Sequence, residues 1–250
     1  LLKDLHQHFL QKTIYQMLVL AYGEPVLEFL WAPRGKDGKL VSELKKYTPM
    51  EFYKEYCGES GDLQNDYVML MNDPSRPYNK VYEIDMDRHM HDGHNWLYLN
   101  LDMKDLAPIA IASLKDSTQM YFSCDVGKFL DTKSGILDIQ AWDYNSLLGT
   151  TFGMNKKQRI QTRDSGSSHA MTLMAVDLDE KGTPIKWKVE NSWGAASGHN
   201  GYLIMTNEWF NEYMFRVVVN KKYMPKKLMK LMEQKPTLLP AWDPMFMEEK

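Results

Sequence analysis

The chain has 250 residues, 44% of them hydrophobic, enough to fill one large domain or two modest ones, which excludes a disordered or fibrous protein. With 33 Asp and Glu against 30 Lys and Arg the net charge is −3, so no overall positive field exists to hold nucleic acid or an anionic membrane. The longest apolar stretch, residues 106–114, contains Pro108 and falls far short of the ~20 residues that cross a bilayer, so a soluble protein is expected.

From Leu2 onwards, Leu5, Phe9, Ile14, Met17 and Leu18 recur at helical spacing and predict an amphipathic packing helix that stops near Gly23-Glu24-Pro25. Residues 26–32 and 39–44 flank Arg34-Gly35-Lys36-Asp37-Gly38, whose glycines suit a tight reversal, and predict a hairpin. Thr48-Pro49 supplies an N-cap and a first-turn proline for a short helix carrying Phe52, Tyr53 and Tyr56. Residues 67–71 and 80–84 read as strands on either side of a turn-rich run, and residues 85–95 as a polar loop. A helix over 101–115 and a buried strand over 120–124 follow. Residues 125–165 are loop-rich, with a basic helix over 155–163. Strands are then predicted over 170–177, 185–190, 201–206 and 215–220, with a short helix over 208–214, a helix over 225–234 and a proline-containing tail over 235–250. No fixed-period repeat is present, which excludes a solenoid or propeller. Helices early and antiparallel strands late give the order of an α+β fold.

Only two cysteines occur, Cys57 and Cys124, at a spacing that fits no zinc, redox or disulfide framework; a reducing, cytoplasmic setting is the expectation. Residue 1 is leucine, so the chain is expected to be a piece of a longer protein.

The chemistry concentrates in the second half. His169 stands at the mouth of an apolar run, where one ring nitrogen can face a cleft while the other meets a structural partner; a hydrogen-bonded core histidine is the blander alternative. Asn191, 22 residues further on, closes the next predicted strand. Two adjacent antiparallel strands would bring its amide oxygen to the ring N–H, fix the tautomer and leave the opposite nitrogen for a nucleophile. Trp193 would cover that bond, and Gly194, Gly198 and Gly201 let the loop fold back before Tyr202.

The runs His169-Ala170, Trp187-Lys188-Val189-Glu190-Asn191-Ser192-Trp193-Gly194 and Gly198-His199-Asn200-Gly201-Tyr202 resemble the His and Asn half of a papain-like cysteine peptidase. Within that superfamily the chain resembles the bleomycin hydrolase and bacterial aminopeptidase C family. Tyr121-Phe122-Ser123-Cys124-Asp125-Val126-Gly127-Lys128, Thr206-Asn207-Glu208-Trp209-Phe210 and Leu239-Pro240-Ala241-Trp242-Asp243-Pro244-Met245 carry the narrower likeness.

The resemblance implies an incomplete papain-like α+β fold: residues 1–115 a mainly helical region with a hairpin, 116–234 a β-rich, barrel-like domain holding His169 and Asn191, and 235–250 a C-terminal arm. It implies His169 as general acid/base, Asn191 as its orienting partner and Trp193 as their shield. It implies an aminopeptidase that cleaves N-terminal peptide bonds through an acyl-thioester without metal or organic cofactor, assembled as a homo-hexamer. The nucleophilic cysteine and an oxyanion glutamine lie, in the family, N-terminal to everything here. Cys57 ends a predicted helix, where the dipole disfavours a thiolate, and Cys124 matches a strand position, so neither is expected to be the nucleophile. The chain is therefore expected to be a C-terminal half, inactive alone; a non-catalytic remnant serving as a binding or scaffolding subunit is the alternative. The resemblance also places the last residues along the cleft, where the carboxylate of Lys250 would meet a substrate's free amine, although Phe246-Met247-Glu248-Glu249-Lys250 departs from the small-residue ending of relatives.

Three other signals rank lower. His89, His91 and His94 form a His-x-His-x-x-His cluster that could hold zinc or nickel, but the surrounding loop offers no rigid support. Lys156, Lys157, Arg159 and Arg163, and Lys221, Lys222, Lys226, Lys227 and Lys230, read as solvated faces rather than a nucleic-acid surface. The 18 methionines are scattered and read as core filler.

Overall fold

The computed structural model describes residues 2–58, 62–63, 65–88 and 92–246. The chain divides into two compact units, residues 1–63 and 64–250.

In the first unit, α1 (Leu2–Tyr22) is followed by β1 (Phe29–Trp31), β2 (Lys45–Tyr47) and α2 (Pro49–Tyr56). Phe9, Ile14, Met17 and Leu18 of α1 are each more than half exposed, so the expected packing face is uncovered. The hairpin pairs further out than its turn suggested: Phe29 faces Tyr47 and Trp31 faces Lys45, while only an isolated Arg34–Leu40 bridge remains near the glycines. The rings explain the shift. Phe29, Trp31, Tyr47, Phe52 and Tyr56 form one ring cluster, with Trp31 edge-on to Phe52 and Tyr56, and cross-strand aromatic contacts outweigh the turn's own register preference. Thr48 caps α2 as expected: its hydroxyl accepts from the Glu51 N–H and the Glu51 carboxylate accepts from the Thr48 N–H.

The second unit is built on an eleven-stranded sheet. Its elements are β3 (Tyr67–Met71), β4 (Lys80–Ile84), β5 (Leu97–Asn100), α3 (Met103–Lys115), β6 (Met120–Cys124), β7 (Leu130–Asp131), β8 (Ile136–Leu137), α4 (Tyr144–Leu148), α5 (Lys156–Gln161), β9 (His169–Leu178), β10 (Pro184–Glu190), β11 (Tyr202–Thr206), α6 (Asn207–Tyr213), β12 (Met214–Asn220), α7 (Lys226–Met229) and β13 (Thr237–Leu239). The spatial order is β13-β4-β5-β3-β12-β6-β9-β10-β11-β8-β7. Pairing is antiparallel except at β13·β4, β3·β5 and β11·β8. Strands from residues 67–100 and strands from residues 169–220 therefore share one sheet.

Two hydrophobic clusters hold it. In the larger, Leu106, Ile109 and Ala110 of α3 and Trp209, Phe210 and Tyr213 of α6 pack on Phe122, Leu173, Trp187 and Val217. In the smaller, Met71, Tyr82, Ile84, Tyr98 and Phe215 pack on Ile160 of α5 and on Met245. Asp102 caps α3 by accepting the Lys104 N–H, and an Asn155–Gln158 capping box starts α5.

The basic helix is the expected solvated face only in part: Lys157 and Arg163 are exposed, but the other two cations are not. Lys156 and Arg159 are buried. Lys156 Nζ donates to Asn72 Oδ1 at 2.7 Å, to the Asn211 carbonyl at 3.0 Å and to the Met214 carbonyl. Burial pushes its pKa down to about 7. Arg159 pairs with Glu212 and donates to the Met154 carbonyl. A buried cation survives only with such partners, and here they tie α5 to the α6–β12 junction. The second cluster is mostly exposed, as expected: Lys222, Lys226, Lys227 and Lys230 face solvent.

Candidate active site

β9 and β10 run side by side and antiparallel, with Glu190 opposite Thr172, so the start of β9 and the residue after β10 meet at one end of the sheet. The hairpin between them closes on Asp179, whose carboxylate accepts the Thr183 and Lys181 N–H groups, and Gly182 supplies a positive φ of 82°. Those backbone bonds hold the Asp179 carboxyl below the usual carboxylate range. On its other side β9 pairs with β6, His169 facing Cys124.

His169 Nε2 and Asn191 Oδ1 lie 2.9 Å apart. The orientation of the amide follows from a second bond: Oδ1 also lies 2.8 Å from the Ser192 backbone nitrogen, which can only donate. The ring atom facing Oδ1 must therefore be Nε2–H, and in the neutral imidazole Nδ1 is left as the basic nitrogen. The Trp193 ring lies against the His169 ring, 5.1 Å between centres at a 40° tilt, and remains 45% exposed. Asn191 Nδ2 is buried and has no hydrogen-bond partner among the described residues. The three residues expected to work together are thus brought together.

Two further contacts fix the backbone here. Asn191 N–H donates to the Gly201 carbonyl at 2.9 Å, tying the strand end to the returning loop. In that loop Gly198 has φ +56°, and a Cβ there would stand 2.5 Å from the Tyr202 carbonyl oxygen. Gly135 approaches from β8's side, where a Cβ would lie 2.8 Å from Gly198 Cα. Gly198→Ala should therefore cost about 2 kcal/mol from backbone strain alone, read as a lowered denaturation midpoint with unchanged m-value; a stability equal to wild type would contradict the close approach.

Upstream of His169, Ser167 is held on three sides. Its hydroxyl bonds that of Ser123, Arg216 Nε donates to it at 2.8 Å, and its N–H donates to the Met245 carbonyl at 3.1 Å. Sequence reasoning gave no role to Ser167, Arg216 or Arg76, nor any chemistry to Asp243. Asp243 lies in the Ala-Trp-Asp-Pro-Met run noted only as a likeness, and no local pattern links it to Arg76, 167 residues away.

The other candidates fall elsewhere. Cys124 is fully buried and burial, with the neighbouring Asp125 carboxylate, pushes its thiol well above the ordinary value, so it is no thiolate. Cys57 is the C-cap of α2 in the first unit. Lys250, His89 and His91 lie outside the described residues; among the described residues no group of three or more His, Cys, Asp or Glu could hold a metal ion. No helix among them is long and apolar enough to cross a membrane. Two clefts, of about 470 and 600 Å³, are lined by residues around Arg76 and around Phe129 and Trp142, and include neither His169 nor Asn191.

Comparison with known proteins gives a consistent result. The sequence matches the Peptidase C1-like family over residues 2–246. It is 40% identical to bleomycin hydrolase of Mus musculus over 96% of this chain and 53% of the relative, and 41% identical to aminopeptidase E of Lactobacillus helveticus over 97% and 54%. The crystal structure of PepW from Lactobacillus rhamnosis superposes with a TM-score of 0.89 at 34% identity, covering 97% of this chain and 54% of that one. The chain thus spans about half the length of the curated relatives it matches. An α+β fold of the papain-like kind, shared along nearly its whole length with these peptidases, places the chain in the Peptidase C1-like family.

Proposed function

We propose that this chain is the C-terminal half of a cysteine aminopeptidase of the bleomycin hydrolase type. The observation that carries the reading is the His169–Asn191 bond beside Trp193, in a chain about 40% identical to bleomycin hydrolase. Asn191 fixes the imidazole with Nε2–H inward, so Nδ1 can exchange a proton with a thiol. The thiolate attacks the scissile carbonyl, His169 protonates the departing amine, and a thioester remains. Water, deprotonated by His169, then hydrolyses that thioester. The only two cysteines of the sequence are a buried thiol and a helix C-cap, so the nucleophile and the oxyanion donor come from a segment outside these 250 residues. In this reading, which rests on the family resemblance of its motifs, the complete enzyme acts on peptides in the cytoplasm as a homo-hexamer. The carboxylate of Lys250 meets the substrate's free amine, restricting cleavage to N-terminal residues.

Joined to its N-terminal half, the protein should hydrolyse aminoacyl fluorogenic amides in a reaction abolished by thiol alkylation, while the 250-residue chain alone shows none. Turnover by the isolated chain that disappears in Cys57→Ser or Cys124→Ser would overturn the assignment. A complete protein in which a thiol-directed activity probe labels no cysteine would be a scaffold instead.

A further inference from the structure

β9 enters the sheet with a paired strand on one side only. Its register with β10 begins at Thr172, so residues 169–171 pair with β6 alone, His169 facing Cys124 and Ala170 facing Ser123. One residue earlier, the Ser168 N–H donates to the Cys124 carbonyl at 3.2 Å. β12 lies on the other side of β6, and there Arg216 faces Ser123.

The Arg216 guanidinium is forked among three hydroxyls. Nε donates to Ser167 Oγ at 2.8 Å, Nη2 to Ser123 Oγ at 3.3 Å and Nη1 to Tyr98 Oη at 3.4 Å. The Ser123 and Ser167 hydroxyls also bond each other. Arg216 and Ser123 are buried, and Tyr98 wholly so. The cation lies over the Trp96 ring, 5.2 Å from its centre, and 6.0 Å from the centre of the Tyr121 ring. Tyr98 in turn donates to Asp87 Oδ2 at 3.4 Å, and burial holds its phenol above the ordinary value, so it keeps the proton it donates.

Taking a guanidinium out of water is costly, and an apolar side chain would fill the same space without that cost. What arginine adds is direction, because its donors lie in one rigid plane. Two of them tie Ser167, two residues before His169, to Ser123, the neighbour of the residue that faces His169. The bond to Asn191 sets how the imidazole is turned, whereas the place of its Cα follows from the backbone around it. A displacement of about 1 Å at a proton-transferring group can cost on the order of 10²-fold in rate. We propose that Arg216 is a positioning residue for His169: by holding Ser167 and Ser123 together it sets where the imidazole stands for proton exchange with the thiol. This rests on the peptidase reading above and deepens it. Arg216 touches no reacting atom, and its effect passes through Ser167.

The test uses the complete enzyme, an aminoacyl fluorogenic amide and titration of active sites with a thiol-directed probe, so that every rate refers to folded sites. Ser167→Ala removes the link while Arg216 stays; it should lower kcat at least about tenfold with KM within about twofold. Ser167→Thr keeps a hydroxyl and should remain within about threefold of wild type. Arg216→Lys keeps the charge but loses the fork, and should lose about as much kcat as Arg216→Met. Combining Ser167→Ala with Arg216→Met should cost no more than about twofold beyond the slower single variant, since both break one linkage. Wild-type kcat in Ser167→Ala, or equal losses in Ser167→Ala and Ser167→Thr, overturns the proposal, and these two variants decide it if the Arg216 variants do not fold. Wild-type kcat in Arg216→Lys, or losses that multiply in the double variant, overturns it too. Absence of any thiol-dependent turnover in the wild-type enzyme would instead remove the peptidase reading itself.

Discussion

Replacing His169 with alanine is expected to lower kcat/KM of the complete enzyme by about 10⁴-fold with little change in stability. In the proposed mechanism the imidazole makes two proton transfers in each turnover, and no other side chain bonded to Asn191 Oδ1 can supply them. A factor of this size corresponds to about 5 kcal/mol of lost transition-state stabilisation. His169 is partly exposed at the end of β9 and contributes little to either hydrophobic cluster, so the folded state should survive its removal. Asn191→Ala should be milder, about 10²-fold, since it loosens the ring without removing the proton carrier. The decisive measurement is steady-state turnover of an aminoacyl substrate by both variants at matched folding. Activity within tenfold of wild type in His169→Ala would remove His169 from the chemistry.

The second large effect is structural. Trp187→Ala should destabilise the protein by about 3–5 kcal/mol, the range for truncating a fully buried aromatic. Trp187 is 1% exposed and lies in β10, opposite Val176 of β9 and Met205 of β11. Its ring stacks on Phe210 at 4.1 Å, and its Nε1–H donates to Asn207 Oδ1 at 3.1 Å. Phe210 in turn stacks on Phe122 of β6, so the truncation opens a cavity at the centre of a three-ring pile and leaves Asn207 without a donor. β10 also carries Asn191 at its end, so activity should fall together with stability, unlike the His169 variant. Trp187→Phe keeps a stacking ring and should lose well under half as much. Chemical denaturation with an unchanged m-value reads the difference, and a loss below 1 kcal/mol in Trp187→Ala would contradict the packing described.

What could be read from the residues followed strength of local signal. The strands over 67–71, 80–84 and 120–124 have the predicted bounds because each is a short stretch rich in β-branched, aromatic or other apolar residues bounded by turn or loop residues. Thr48 and Glu51 announce α2 by a capping pair that works through backbone groups next to it in the chain. His169 and Asn191 were legible for a similar reason: two adjacent strands suffice to bring them together. β13 was hidden, being three residues between two prolines that become a strand only because β4 offers an edge. The outward shift of the first hairpin depended on rings from α2, which no turn rule contains. The burial of Lys156 and Arg159 depended on acceptors from Asn72, Asn211 and Glu212, all remote in sequence, whereas composition alone reads four basic residues as surface.

The placing of β13 has a consequence for how copies of this protein meet one another. A sheet of eleven strands has two borders, and each presents a row of backbone donors and acceptors to any passing strand. One border ends on β7, two residues long, too short to template much. The other would be β4, five residues with Val81, Tyr82 and Ile84 in the core, an inviting seam were it bare. Residues 237–239 are the selvedge that closes it, flanked by Pro236 and Pro240, which limit further pairing along the hem. A protease that clipped the chain ahead of Thr237 would therefore leave an open seam, and the molecule would begin to stitch itself to its neighbours.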